Sequence, residues 1–123
     1  MATADVDLAE RFRVALEAAV RTGDREDVYE LLAPGVTWVT PQRTLRGLDE
    51  MRRDWSWASS PETFDYEFEH GVWVDEGDGD VACEVQEVYR MKSTGEFAYR
   101  RTVRVELTIH DGKIDRYELS VVA

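Results

Sequence analysis

The spacing of apolar residues changes once along this chain, at about Pro61. Before that point apolar residues recur every three or four positions, which is typical of helices that bury one face. After it they recur every second position, which is typical of strands with one buried face. The change predicts an α+β domain in which three helices pack on a curved antiparallel meander sheet. No repeat or linker interrupts this order, so residues 1–123 are interpreted as one domain.

The first half contains the predicted helices. The first helix ends at Gly23, and its apolar positions face the core while its charged residues lie on the opposite side. The second begins at Asp24, a favourable N-cap residue, and Pro34-Gly35 ends it. The predicted segments are helices over 5–22, 24–33 and about 48–59, a short strand over 36–40 and a loop over 41–47. The charged residues assigned to the solvent side of the first helix are Glu10, Arg13, Glu17 and Arg21.

The second half contains strands that alternate between an apolar and a polar face, separated by turn residues. The predicted turns lie at 77–79, 93–95 and 111–112. The inner faces of the three long strands are predicted to hold Phe64, Tyr66, Phe68, His70, Val72 and Val74; then Val81, Cys83, Val85, Glu87, Tyr89 and Met91; and then Phe97, Tyr99, Arg101, Val103, Val105, Leu107 and Ile109.

The last strand breaks this alternation. Uninterrupted pairing would place Arg116 in the core and Tyr117 and Leu119 in solvent. One extra residue in the strand restores the phase, so a bulge is predicted near Asp115-Arg116.

The register of the central hairpin follows from matching its apolar faces across the turn at 93–95, because a slip of one residue would expose a whole face. This register places Glu87 opposite Arg101 on the inner face and Glu84 opposite Arg104 on the outer face. The two charge matches support the register independently. The other predicted pairs are Met91 with Phe97, Tyr89 with Tyr99, Val85 with Val103, and Cys83 with Val105.

Glu87 and Arg101 are the most informative polar pair. An unpaired charge inside a protein is costly, so the two side chains are expected to form an ion pair. The pair has two interpretations. It is either a structural element of the core or the polar part of a small-molecule site, in which Glu87 transfers a proton and Arg101 orients or stabilises an anionic group.

Two further features bear on the location of functional sites. His70 continues the inner face of its strand and is a candidate acid or base, although a single inward histidine is more often a hydrogen-bonded core residue. The acidic residues over 75–80 lack the spacing of a calcium loop and fit a hairpin tip, so no metal site is assigned.

Aromatic residues are the candidates for the wall of an apolar ligand cavity, and they fit a filled core equally well. A separate apolar patch of Trp73, Val88 and Ala98 falls on the predicted outer face of the sheet, where it suggests a homodimer interface. The candidate ligand-binding residues are Trp38, Trp55, Tyr66, Phe68, Tyr89 and Tyr99.

Charge limits the classes of partner. The chain has 26 acidic and 15 basic residues, a net charge of −11, and 43% hydrophobic residues. A net-acidic surface repels nucleic acid and anionic membranes, and no segment is apolar enough to span a bilayer. The opening residues lack the features of a secretion signal, so a cytoplasmic location is expected. With Cys83 as the one cysteine, no intrachain disulfide is expected.

Three segments resemble one family. The helix and strand at 27–40 (DVYELLAPGVTWVT), the entry to the third helix at 45–51 (LRGLDEM) and the last hairpin at 111–117 (DGKIDRY) are similar to parts of the nuclear transport factor 2-like superfamily, especially its SnoaL-like members. The resemblance implies a cone of helices on a curved sheet. It implies no single activity, because this scaffold hosts cyclases, isomerases, dehydratases, epoxide hydrolases and binding proteins.

The catalytic sets known in such proteins match poorly here. By this resemblance, the position of the isomerase base is occupied by Thr40, which has no carboxylate. In the epoxide hydrolase arrangement only Glu87 retains the expected residue type, because Val85 and Leu119 stand at the other two positions. The SnoaL-like base falls near Leu119, and the dehydratase histidine pair is represented by His70 alone.

These observations predict a small-molecule-binding SnoaL-like domain. If it is an enzyme, Glu87, Arg101 and His70 are the candidate catalytic residues, and the chemistry is proton transfer on a partly apolar substrate without a cofactor. The alternative is a non-catalytic ligand-binding or dimerisation module.

Overall fold

A computed structural model describes residues 4–54, 57 and 64–123, except for the side chain of Tyr66. It has three helices and seven strands, which confirms the predicted α+β class. The helices are α1 (Ala4–Thr22), α2 (Glu26–Leu31) and α3 (Gly47–Arg53), and the strands are β1 (Leu32–Val39), β2 (Thr44–Arg46), β3 (Phe64–His70), β4 (Val74–Gly77), β5 (Asp80–Met91), β6 (Phe97–His110) and β7 (Lys113–Val121).

All seven strands belong to one sheet. Its strand order is β2-β1-β7-β6-β5-β3, with β4 also paired to β5. Strands β3 and β5 to β7 form the predicted antiparallel meander. Strand β1 adds to it parallel to β7, which makes the sheet mixed.

Helix α1 follows its sequence pattern. Leu8, Phe12 and Ala19 are buried on one side, and they contact the inner face of the sheet. The helix ends as predicted at Gly23, whose positive φ of 81° allows its N–H to bond the carbonyl of Ala19 at 2.8 Å. This helix therefore closes one side of the space above the sheet.

The segment after α1 differs from the prediction. Helix α2 ends at Leu31, and Pro34-Gly35 lies inside β1 rather than stopping the helix. The pairing of β1 with β7 is irregular between Leu32 and Thr37, and such an irregularity accommodates a proline, which has no N–H to donate. The predicted loop at 41–47 contains β2, which pairs with β1.

Helix α3 ends at Arg53, before the predicted end near Ser59. Most of the remaining predicted helix, with Trp55 and Pro61, lies outside the described residues. Trp57 is described, and its indole Nε1 donates to the carbonyl of Met51 at 3.0 Å.

The predicted strand over 64–74 is broken at Gly71, which corrects the phase of its second half. Four steps from His70 to Val74 face three steps from Val85 to Ala82 on β5, so the strand carries one extra residue. Trp73 therefore points inward and is 8% exposed, while Val72 is 85% exposed.

The outer sheet face is consequently less apolar than predicted. Trp73 packs in the core and donates from Nε1 to Glu10 at 3.1 Å, and Val88 is buried. The outer-face patch proposed as a dimer interface is therefore not formed by the described residues. Homodimerisation stays a prediction without that basis.

Two bulges set the phase of the meander. In β7, Ile114 faces Ile109 and Arg116 faces Thr108, so Asp115 is the extra residue that was predicted. In β6, the extra residue is Ala98. Because of it Phe97 faces Arg90, and the predicted pairing of Phe97 with Met91 is wrong.

The rest of the predicted register is confirmed. Glu87 faces Arg101 on the inner side, and Glu84 faces Arg104 on the outer side. The confirmed apolar pairs are Tyr89 with Tyr99, Val85 with Val103, and Cys83 with Val105. Among the residues described, no helix has the length and apolar character needed to cross a membrane.

Candidate functional site

A cavity of about 340 Å³ lies between α1 and the inner face of the sheet. This volume is within the range of small-molecule sites, about 300–1,000 Å³. Its walls are mainly apolar, with a few charged groups. The apolar lining comes from Leu16, Val20, Trp38, Leu45, Trp57, Phe68, Val85, Val103, Val105, Tyr117 and Leu119.

Glu87 and Arg101 lie together in the wall of this cavity. Glu87 is 7% exposed and is the one charged residue buried in the described part of the chain. Its Oε1 accepts hydrogen bonds from Arg101 Nε and from the hydroxyl of Tyr89, the latter at 2.8 Å. The structure thus forms the ion pair that the register predicted and brings it to the cavity.

We expect replacement of Arg101 by Met to destabilise the protein by about 2–3 kcal/mol. The change leaves the buried carboxylate of Glu87 without its cation. The loss stays below that of a fully enclosed pair because the Arg101 side chain is partly exposed. Urea denaturation measures the change in the free energy of unfolding.

The matched control is Arg104→Met. Arg104 pairs with Glu76 at 3.0 Å and Glu106 at 2.7 Å on the outer sheet face, where ion pairs contribute less than about 1 kcal/mol. Equal losses in the two variants would show that Glu87 does not depend on Arg101 more than a surface carboxylate depends on its partner.

A cluster of aromatic rings forms the apolar end of the cavity. Trp38 stacks on Tyr117 with ring centroids 3.8 Å apart, and Trp57 lies 4.9 Å from Trp38. The indole Nε1 of Trp38 is buried without a hydrogen-bond partner among the described residues. Trp38 and Phe68, both candidate ligand-binding residues, line the cavity.

The other aromatic candidates are placed differently. Tyr89 is buried outside the cavity lining and supports Glu87, while Tyr99 stacks on Tyr89 at 4.2 Å and is 44% exposed. Neither ring lines the cavity. Trp55 and the side chain of Tyr66 lie outside the described residues.

Two charged residues of α1, Arg13 and Glu17, lie with His70 at the cavity, contrary to the prediction that they face solvent. Arg13 bonds both Glu10 and Glu17, and Glu17 Oε2 lies 3.1 Å from His70 Nε2. Arg13, Glu17 and His70 line the cavity. Sequence analysis missed the first two, although Glu10, Arg13 and Glu17 recur at spacings of three and four like a buried stripe.

Ion pairs from Arg13 to Glu10 and Glu17 hold the charged residues of α1 together. The hydrogen bond from Arg13 lowers the pKa of Glu10, and the same bond raises the pKa of Arg13. Both groups therefore stay charged at neutral pH. Neither nitrogen of the His70 imidazole makes a hydrogen bond to the described residues, so its contact with Glu17 is one of proximity.

Tyr117 also lines the cavity, and the sequence did not identify it as a site residue. The bulge at Asp115 places its side chain on the inner face, which by itself predicts only a core residue. Burial first, and then the charge of Glu87, raise the pKa of its phenol. Burial likewise raises the pKa of Cys83 to about 11.

Polar residues at the β1–β2 turn complete the lining. Thr40, Gln42 and Arg43 border the cavity, and Arg43 forms an ion pair with Asp54 at the end of α3. This ion pair joins the β1–β2 turn to the C-terminal end of α3.

Two residues of the acidic run at 75–80 form hydrogen bonds at the β4–β5 hairpin. Asp75 accepts from the N–H of Gly77 at 2.9 Å, and Asp80 accepts from Thr108 at 2.9 Å. Within 4–54, 57 and 64–123, no three His, Cys, Asp or Glu side chains converge in a way that would hold a metal ion.

Three helices on one curled sheet form the α+β cone fold of nuclear transport factor 2-like proteins. Solved structures of low sequence identity share this fold. TerC co-crystallised with polyporic acid is 19% identical with a TM-score of 0.71, and 98% of this chain and 92% of that one are covered. A protein provisionally named as a SnoaL-like polyketide cyclase, from Jannaschia sp. CCS1, is 16% identical with a TM-score of 0.73 and coverage of 96% and 85%.

A further neighbour is a nuclear transport factor 2-like protein of unknown function from Burkholderia pseudomallei, at 15% identity, a TM-score of 0.74 and coverage of 98% and 92%. Within this class, the chain belongs to the SnoaL-like domain family, whose model matches residues 12–117. No protein of curated function matches its sequence.

Proposed function

We propose that this SnoaL-like domain binds a partly apolar small molecule in the cavity and catalyses a proton transfer on it without a cofactor. The observation that carries the proposal is the buried carboxylate of Glu87, which lies beside a cation in the wall of a mainly apolar cavity. A positioned carboxyl group of this kind is a common general acid or base.

Each polar residue has a role in this proposal. Both described hydrogen bonds to Glu87 end on Oε1, so Oε2 is the oxygen assigned to the ligand. Arg101 orients the carboxylate and stabilises negative charge that develops on the ligand. His70, on the neighbouring strand β3 and 3.1 Å from Glu17, is a second candidate acid or base.

Isomerisation, cyclisation, dehydration and hydration all need such a proton transfer, and the proposal therefore names the step rather than one overall reaction. The aromatic end of the cavity favours a ligand with a flat ring. A co-crystal of the similar fold of TerC with polyporic acid supports a small-molecule ligand.

A non-catalytic ligand receptor is the second candidate function. It is favoured by the fact that Glu87 already has two hydrogen-bond partners within the protein. In a receptor the carboxylate would bind a ligand hydroxyl without exchanging a proton with carbon.

The two functions are separated by exchange of carbon-bound protons in D₂O. The probe is 2-tetralone, a flat bicyclic ketone with an acidic CH₂ group, and the readout is the loss of its CH₂ signal in proton NMR. We expect the protein to accelerate exchange at least about 100-fold over buffer. Binding of 2-tetralone with exchange at the buffer rate would instead support the receptor.

A further inference from the structure

The β1–β2 turn borders the cavity and has no part in the proton transfer proposed above. Thr40, Gln42 and Arg43 of this turn line the cavity. The N–H of Thr40 donates to the carbonyl of Arg43 at 2.9 Å, and the hydroxyl of Thr40 donates to the same oxygen at 3.2 Å. These bonds close the turn, so the backbone at Arg43 has a defined place at the edge of the cavity.

Arg43 gives the described part of the lining a net positive charge. The other arginines and glutamates in this part of the lining form ion pairs with each other and cancel. The two pairs are Arg13 with Glu17 and Arg101 with Glu87. The counterion of Arg43 is Asp54, which follows α3 and lies outside the lining. In a protein with a net charge of −11, the edge of the cavity is therefore locally cationic.

The ion pair with Asp54 leaves Arg43 able to bind a second anion. The side chain of Arg43 is 47% exposed and that of Asp54 is 33% exposed, so water screens the attraction between the two charges. The hydrogen bond between them uses Nη1 of Arg43. A guanidinium has five N–H groups in one plane, and two of them can donate in parallel to the two oxygens of a carboxylate.

We propose that Arg43 binds a carboxylate of the ligand, so that the β1–β2 turn selects anionic ligands. The inference rests on the proposed function and narrows its ligand to a flat, mainly apolar ring that carries a carboxylate. The ring lies at the aromatic end of the cavity, and the carboxylate lies at the edge beside the turn. Trp38 is on β1 and Arg43 is in the turn that follows, so one hairpin positions both parts of the ligand.

Asp54 competes with the ligand for the same cation. Loss of the Asp54 charge therefore frees Arg43 and strengthens the binding of an anion, whereas loss of the Arg43 charge weakens it. The two partners of one ion pair thus have opposite effects on binding. If the pair only braced the turn against α3, either change would break the same contact and the two effects would have the same sign.

The test compares two probes of nearly the same size and shape. 2-Naphthylacetate carries a carboxylate at neutral pH, and 2-naphthylacetamide has an uncharged amide in its place. Calorimetric titrations at low salt use the unaltered protein, Arg43→Gln, Asp54→Asn and Arg46→Gln. Arg46→Gln is the matched control, because Arg46 is an exposed arginine of the same hairpin and does not line the cavity.

We expect the unaltered protein to bind 2-naphthylacetate about tenfold more tightly than the amide. Arg43→Gln should bring the two affinities to within about threefold of each other by weakening only the binding of the carboxylate. Asp54→Asn should strengthen the binding of 2-naphthylacetate about threefold and leave that of the amide unchanged. Arg46→Gln should keep the preference of the unaltered protein.

Three results would overturn the inference and leave the proposed function in place. They are equal affinities of the two probes for the unaltered protein, a preference in Arg43→Gln as large as that in Arg46→Gln, and weaker binding of 2-naphthylacetate to Asp54→Asn. In each of them a flat aromatic molecule still binds. If neither probe binds to the unaltered protein, the inference and the proposed aromatic ligand fail together. Thermal unfolding confirms that each variant is folded.

Discussion

Replacement of Glu87 by Gln is expected to slow the exchange of 2-tetralone protons at least about 100-fold relative to the unaltered protein. Gln has nearly the same shape as Glu, and its carbonyl oxygen accepts the hydrogen bonds of Arg101 and Tyr89. It cannot accept a proton from carbon. The rate is followed by the CH₂ signal in proton NMR, and binding of 2-tetralone is measured in parallel.

The chain contains a matched control for this change. Glu84 lies on the same strand as Glu87 and faces Arg104 across the hairpin, but on the outer face of the sheet. Glu84→Gln removes the same charge from β5 without altering the cavity, so exchange should continue at the original rate. If Glu87→Gln binds 2-tetralone and exchanges it as fast as Glu84→Gln does, Glu87 is not the base.

The position of Glu87 was predictable because two different signals agreed. The apolar residues of β5 and β6 define which faces meet, and one register places the members of both charge pairs opposite each other. The bulge at Asp115 was predictable for a similar reason, since only an extra residue keeps Tyr117 and Leu119 inside. Where burial and pairing constrain the same residues, sequence alone is sufficient.

The phase of Trp73 was not predictable in this way. The extra residue that turns it inward lies between Gly71 and Val74, and the alternation on either side reads as one continuous strand. Immediately before it, at Gly71, two backbones approach closely. Gly71 donates to the carbonyl of Glu84 at 2.8 Å, and a Cβ there would lie 2.9 Å from that oxygen.

The composition of the cavity was predictable only in part. The sheet residues were assigned from strand alternation, which gives one inward face. Helix residues at the edge of the buried stripe, such as Arg13 and Glu17, face either solvent or a cavity according to how the helix lies on the sheet. The parallel pairing of β1 with β7 joins residues far apart in the chain, and local patterns carry no signal for it.

The second large effect is expected from Gly79→Ala, which should destabilise the protein by more than about 3 kcal/mol. Gly79 lies in the turn between β4 and β5 with a φ of +83°, and its carbonyl accepts from the N–H of Ile109 at 2.8 Å. A Cβ at this position would lie 2.3 Å from the carbonyl oxygen of Ile109. Backbone strain and a clash with another strand therefore act together, and urea denaturation measures their sum.

Gly77→Ala separates the two causes. Gly77 flanks the same turn with a φ of +89°, but nothing lies within 4 Å of where its Cβ would be. Its replacement should cost only the strain, about 1–2 kcal/mol. A loss for Gly79→Ala no larger than that for Gly77→Ala would mean that the turn moves away from Ile109 easily. The larger loss is expected for Gly79→Ala because Gly79 contacts the backbone of Ile109, near the end of β6.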